Sequence, residues 1–211
     1  MNSPLEEELF KKYTYVLGID EVGRGPWAGP MLIAGTLITV DSLTNPPLVD
    51  DSKKFNERQR YELAKEISIW AKTEISSIDS NYIDRNGLTK SLTTGCERLI
   101  SKFRKNYELS RENTIIIQDG KISYLGKYSE SFDTEVHVKA DSNSLAVAAS
   151  SIVAKHKRDN IMKNYSLIYP EYGFESNMGY GTTSHKLAIE KHGFTPIHRT
   201  SWSIGNKKSV P

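Results

Sequence analysis

The sequence predicts an α/β fold, with a mixed central sheet of about five strands flanked by helices. Two observations predict it. Five short runs rich in apolar and β-branched residues, at 15–20, 31–40, 73–78, 114–118 and 134–139, read as strands. Segments with helical periodicity or caps lie among and after them, and neither a repeat nor a low-complexity linker interrupts the 211 residues. A chain of this length fits one domain. The expectation is a single domain over 1–211, with its core at about 13–202, a short N-terminal helix and a short C-terminal tail.

Residues 4–12 read as the short leading helix. Tyr15-Val-Leu-Gly-Ile-Asp20 is apolar and runs into glycine, which marks a central strand. Gly25-Pro26 and Gly29-Pro30 signal a turn rather than a helix, and Met31 to Val40 follows as the second strand. A polar loop over 41–55 holds Asp50-Asp-Ser-Lys-Lys-Phe55. Asn56 followed by Gln59 has capping-box spacing and opens a helix through about Lys72, ahead of a third strand at Thr73 to Ile78. Leu88 to Arg104 sets Leu88, Leu92, Leu99 and Phe103 roughly on one helical face. Thr114-Ile-Ile-Ile-Gln118 ends in Asp119-Gly120, and Thr134 to Lys139 leads into Ala140-Asp141. Leu145 to about Tyr165 is a long helix whose small, aliphatic first half reads as buried. A last helix spans Thr183 to His192 and stops at Gly193.

Apolar residues make up 37% of the chain and charged residues 26%, with a formal charge of +2. Bulk electrostatics therefore do not mark a nucleic-acid binder. Any basic surface must come from local placement, as at Lys53-Lys54, Lys102 to Lys105 and Lys155 to Arg158, each of which also reads as a solvated face. The single cysteine, Cys96, excludes an intrachain disulfide and a cysteine-based zinc site, and reads as a core residue in a reducing compartment. No stretch reaches the apolar length of a membrane span, and the acidic start Met1-Asn-Ser-Pro-Leu-Glu-Glu-Glu8 is unlike a signal peptide. A cytoplasmic monomer without a membrane partner is expected.

The acids carry the chemical signal. Asp20, Asp119 and Asp141 each fall at or just beyond the C-terminal end of an expected strand, the edge where ligand sites of open α/β sheets gather. Asp20 and Glu21 end a buried strand, where unpaired charge costs several kcal/mol unless a proton or a cation compensates it. Clustered hard oxygen ligands suit Mg²⁺ or Mn²⁺. Taken singly, each acid has a plainer reading: solvated loop acids for Asp20 and Glu21, a turn for Asp119-Gly120, a helix N-cap for Asp141. The plainer readings do not explain why all of them collect at one edge. Side chains alternate along a strand, so the chain is expected to leave strand geometry at Glu21 if both acids are to face one ion, with Gly23 and Gly25 making that feasible. Asp159 is left out, since 18 residues of helix after Asp141 would carry it about 27 Å away; a pairing with Lys155 or Arg158 is expected instead.

Read together, these segments resemble ribonuclease HII, the type 2 ribonuclease H family. The matching pieces are Gly18-Ile-Asp-Glu-Val-Gly-Arg-Gly-Pro-Trp-Ala-Gly-Pro30, Asp51-Ser-Lys-Lys54, Asp119-Gly120, Lys139-Ala-Asp-Ser142 and Ala148-Ala-Ser-Ser-Ile-Val-Ala-Lys155 with Arg158-Asp159. They continue with Gly179-Tyr-Gly-Thr182, His185 and Pro196-Ile-His-Arg199, and together span about residues 15–202. The resemblance implies the ribonuclease H-like fold and maps the catalytic, metal-holding acids onto Asp20, Glu21, Asp119 and Asp141. It makes Gly23-Arg24-Gly25 the element that senses a ribose 2′-hydroxyl, because glycine backbone can approach a sugar edge closely. It makes Tyr180 the tyrosine that packs on the neighbouring sugar and Lys53 a phosphate contact; His185 is a phosphate partner or a structural hydrogen-bonder, and His198 is expected to be structural.

The function implied is hydrolysis of RNA in RNA–DNA hybrids and nicking 5′ to ribonucleotides embedded in duplex DNA, during replication and repair. Two divalent ions, Mg²⁺ or Mn²⁺, would serve it. The partners implied are hybrid and ribonucleotide-containing duplexes. Three alternatives remain open: a type 3 ribonuclease H needing runs of ribonucleotides, against which Gly23-Arg24-Gly25 argues; another nuclease on the same fold, such as a repair endonuclease, which substrate choice would separate; and a non-catalytic hybrid-binding module, which would not need four acids facing phosphate.

Overall fold

The computed structural model describes residues 4–202; the tail expected after Trp202 lies outside them. The strands are β1 (Tyr15–Val22), β2 (Met31–Ile38), β3 (Lys72–Ile78), β4 (Thr114–Asp119) and β5 (Asp133–His137). They form one five-stranded sheet in the order β3-β2-β1-β4-β5. β2 runs antiparallel to both β1 and β3, whereas β4 is parallel to β1 and to β5. The mixed sheet is therefore as expected, with β1 at its centre.

The helices are α1 (Pro4–Leu9), α2 (Glu57–Trp70), α3 (Ser80–Asn106), α4 (Leu145–Ile168), α5 (Phe174–Asn177) and α6 (Thr183–His192). α3 covers one face of the sheet: Leu92, Leu99 and Phe103 pack with Leu17, Ile19 and Ile33. Alternation along β1 sends Val16 to the other face, where it meets Ala146 and Val147 of α4. The approach of α4 is close. A Cβ on Gly18 would stand 2.3 Å from the Ala146 carbonyl carbon, and Ser150 Oγ donates to the Gly18 carbonyl at 2.9 Å.

Several boundaries shift for physical reasons. β2 ends at Ile38, and Val40 opens a 3-10 turn over Val40–Leu43. Lys139 is outside β5 in the left-handed region, φ 60°. α3 begins at Ser80, not Leu88: Asp79 accepts from the Tyr82 N–H at 2.7 Å, and Gly87 (φ 73°) breaks the helix internally, so the first turns escape a search for one apolar face. The short turns at Pro170–Tyr172 and α5 are likewise additions. Glu6 was one of several acids at a polar chain start, yet it is buried; its Oε1 accepts from Ser144 Oγ (2.7 Å) and Ala146 N–H (3.3 Å), placing a carboxylate at the N-terminus of α4. Among the described residues no helix is long and apolar enough to cross a membrane.

The capping box at α2 is formed. Asn56 Oδ1 accepts from Gln59 N–H and Gln59 Oε1 from Asn56 N–H, both at 2.9 Å. Asn56→Ala is expected to cost about 1 kcal/mol, seen as a lower denaturant midpoint at unchanged m-value.

Candidate active site

The two ladders of β1 end at different places. Pairing with β4 stops at Ile19↔Gln118, while pairing with β2 continues through Glu21↔Ile33 to Val22↔Leu32. Glu21 thus stays in the strand, and the expected departure from strand geometry there does not occur, because β2 holds the backbone on that side. The sheet instead opens on the β4 side. Asp20 and Asp119 stand at the mouth of that opening, each just past the last β1–β4 pair.

A cavity of about 270 Å³ lies there, lined by Asp20, Glu21, Ser52, Lys53, Asp119, Asp141, Ser151, Lys155 and Tyr180. Asp20 follows the parity of Val16 and Gly18 and turns toward α4, where the Ser151 hydroxyl lies beside it; its Oδ1 accepts the Glu21 N–H at 2.7 Å. Ser151 in turn bonds Ser52 Oγ at 3.0 Å, tying the loop before α2 to the site. Glu21 follows Leu17 and Ile19 toward α3, and its carboxylate takes Arg24 Nη1 at 3.0 Å. Asp119 Oδ1 accepts the Ala140 N–H at 2.8 Å, which draws the segment bearing Asp141 to the end of β4. Asp141 lies in the 3-10 turn Ala140–Ser142 and is not the N-cap of α4; Ser144 is.

Burial, then Glu21 and Asp119, push the Asp20 carboxyl up to about 8. Burial also raises Glu21, partly offset by Arg24, and raises Asp141, with Asp51 and Asp119 adding to it. The cluster favours whatever brings positive charge. Among the described residues no group of three or more His, Cys, Asp or Glu is arranged to hold a metal ion as it stands: Asp20 and Glu21 leave opposite faces of β1, and Glu21 is engaged by Arg24. The donor set still fits a hard divalent cation, since the four acids that open on one cavity are all oxygen donors.

The remaining candidates divide. Gly23 is buried at φ 91°, and a Cβ there would meet Arg158 Nε at 2.4 Å and the Pro30 carbonyl at 2.7 Å. Gly25 is exposed, and the nearest atom to its would-be Cβ is Tyr180 Cε1 at 3.9 Å, so nothing inside the protein demands glycine there. Arg24 and Tyr180, both 46% exposed, flank that space, and Lys53 is exposed on the cavity wall. His185 is a correction: it is 0% exposed, donates from Nδ1 to the Tyr180 carbonyl at 2.9 Å and meets His198 Nε2 at 3.0 Å, so neither ring nitrogen is presented to a phosphate. Asp159 stays out of the cavity and pairs with Lys155 (2.6 Å) and Arg60 (3.2 Å), not with Arg158. Ser52, Ser151 and Lys155 were not among the candidates. Their signal was the Asp51-Ser and Ala148-Ala-Ser-Ser stretches, where small polar residues interrupt otherwise apolar or charged surroundings.

The decisive comparison is with a family profile described as Ribonuclease HII, which matches residues 17–204. The chain belongs to the ribonuclease HII family. It is 40% identical to the Ribonuclease HII of Clostridium acetobutylicum over 192 residues, 89% of this chain and 71% of the relative. A Ribonuclease HII of Sulfurihydrogenibium sp. is 32% identical, with 95% of this chain and 96% of that one covered. Among solved structures, the ribonuclease H2 from Pyrococcus horikoshii superposes with a TM-score of 0.70 at 22% identity, covering 90% of this chain and 94% of that chain. A Bst-RNase HIII in complex with Mn²⁺ gives 0.68 at 19% identity, covering 92% and 67%. These likenesses show the ribonuclease H-like fold, and family membership makes the chain a type 2 ribonuclease H enzyme.

Proposed function

We propose that this ribonuclease HII hydrolyses the RNA strand of RNA–DNA hybrids and nicks 5′ to ribonucleotides embedded in duplex DNA, leaving a 3′-hydroxyl and a 5′-phosphate. Ribonucleotide removal in replication and repair is the task this activity serves. The observation that carries the reading is the cavity at the ends of β1 and β4, where Asp20, Glu21, Asp119 and Asp141 meet Lys53, Lys155 and Tyr180.

Asp20, Glu21, Asp119 and Asp141 would hold two divalent ions, Mg²⁺ or Mn²⁺. The chemistry such ions would supply, when bound, is activation of a water and neutralisation of charge at the leaving 3′-oxygen. The chain's own groups select and orient the substrate. Lys53 and Lys155 attract the phosphate backbone to a wall that would otherwise repel it. The open space at Gly25 admits a sugar edge to the backbone, where the 2′-hydroxyl distinguishes ribose from deoxyribose. Tyr180 offers an exposed ring for the next sugar.

The test is an end-labelled DNA duplex with a single ribonucleotide, incubated with Mg²⁺, with Mn²⁺ and with EDTA. The expected result is one nick 5′ to the ribonucleotide with either metal and none in EDTA. Cutting only of a longer hybrid would replace this reading with the type 3 alternative. Binding of both duplexes without cutting would replace it with the binding module.

A further inference from the structure

Two arginines inside the molecule have no place in the site chemistry described so far. Arg158, on α4, and Arg199, near the end of the chain, are each 0% exposed. Arg158 belongs to the stretch Lys155 to Arg158 that the sequence presents as a solvated face; the structure turns it inward. Among the described residues, every hydrogen bond of the two guanidiniums goes to a backbone carbonyl. Arg158 donates to Pro30 (Nε, 3.0 Å), Ala28 (Nη2, 3.2 Å) and Met178 (Nη1, 2.9 Å). Arg199 donates to Arg24 (Nη1, 2.7 Å) and, through Nη2, to Gly23 and to Gly29 (3.1 Å).

The targets explain the cost of burying two cations. Residues 23–30 lie between β1 and β2, so their carbonyls lack a strand ladder to accept, and buried carbonyls must be paired. Two planar forks satisfy five of them, and Met178 besides, at fixed mutual spacing, which a lysine, a single point charge, cannot reproduce. The same forks join the loop to its neighbours. Arg158 bridges it to Met178, two residues before Tyr180, and Trp27 N–H donates to the Gly179 carbonyl at 2.8 Å. Arg199 N–H donates to the Trp27 carbonyl at 2.7 Å, and Gly29 N–H to the Ile197 carbonyl at 2.8 Å. A relay closes the unit: Thr195 N–H donates to His198 Nδ1 (2.9 Å), His198 meets His185 (3.0 Å), and His185 holds the Tyr180 carbonyl (2.9 Å). α4 also carries Ser150 and Ser151 against β1, so the loop is referenced to the helix that supports Asp20.

We propose that Arg158 and Arg199 are positioning residues that fix the spacing between the Gly25 backbone and the Tyr180 ring, and thereby set the preference for a ribose followed by a deoxyribose. This rests on the ribonucleotide-nicking reading above, in which Gly25 faces the ribose and Tyr180 the next sugar. Neither arginine touches substrate. Each acts through the loop it holds.

The experiment compares Arg199→Lys and Arg199→Ala with the parent enzyme on two end-labelled duplexes, one with a single embedded ribonucleotide and one a continuous RNA–DNA hybrid. The two duplexes share the ribose and differ in the following sugar. The expected result is that Arg199→Lys lowers the ratio of the two kcat/KM values by about tenfold. In Arg199→Ala the ratio falls further, and added guanidinium ion at non-denaturing concentration restores part of it. An equal loss on both duplexes, with or without a lower Tm, overturns the proposal and leaves the arginines purely structural. If Arg199→Ala does not fold, the charge-preserving Arg199→Lys decides alone. A parent enzyme that does not nick the single-ribonucleotide duplex removes the underlying reading as well, whereas a parent that nicks it without preference, or a selective parent with an equally selective variant, removes the positioning role only.

Discussion

Asp119→Asn abolishes turnover, with an expected loss of at least about a hundredfold in kcat, while the protein keeps its fold and its melting temperature. The exchange keeps the acceptor that receives the Ala140 N–H at 2.8 Å, so the link to the segment bearing Asp141 survives. What disappears is one negative charge beside Asp20, with which Asp119 is electrostatically coupled. Loss of a like charge from a repelling cluster does not weaken the folded state. The measurement is a single-turnover nicking assay next to a thermal melt. An active variant would remove Asp119 from the proposed metal-holding set. A variant that is inactive because it melts early would show instead that the carboxylate is structural.

Gly18→Val is expected to cost about 3 kcal/mol or more of stability. Gly18 sits in the central strand directly beneath α4. Its would-be Cβ meets the Ala146 carbonyl carbon at 2.3 Å and the Val147 nitrogen at 2.4 Å, both backbone atoms that cannot rotate aside. Relief requires lifting α4 off the sheet, which opens the core around Val147 and breaks the bond from Ser150 Oγ to the Gly18 carbonyl. Urea denaturation is the check. A drop in midpoint of the expected size with an unchanged m-value assigns the effect to the native packing, whereas a variant as stable as the parent would show that α4 can move. Because α4 also carries Ser151 and Lys155 to the cavity, activity should fall in the surviving folded fraction as well.

The parts of this fold that were legible in the sequence are those whose causes are local. The Asn56–Gln59 box announces α2 because both partners lie within one turn, and α6 ends at Gly193 where the positive φ of 80° needs glycine. The acids were legible as a group because strand ends in an α/β sheet share an edge, so Asp20, Asp119 and Asp141 could be placed together before their neighbours were known. What was not legible depends on partners far along the chain. Glu21 stays in β1 because Ile33 pairs with it, a fact no glycine downstream reveals. Glu6 reads as a solvated acid until α4 is placed beside it. His185 reads from the sequence as a phosphate partner or a structural hydrogen-bonder, and only the fold decides, with Tyr172 and Phe174 packed against its ring and His198 on its nitrogen. Arg158 and Arg199 reverse the usual reading of arginine as a surface residue, because unladdered carbonyls gave a buried guanidinium something to bond.

The bonds that Arg199 makes to Gly23, Arg24 and Gly29 join residues 176, 175 and 170 positions apart. Synthesis runs from the N-terminal side, so the loop between β1 and β2 is made well before the Arg199 segment that fastens it. Contacts of such long sequence separation carry the largest closure cost and form late. A nascent chain lacking residues 195–199 would hold all four acids and yet leave the loop's carbonyls unpaired. On the proposed reading, the loop that selects the sugar is therefore fastened only after the Arg199 segment is made, later than the acids that would cut.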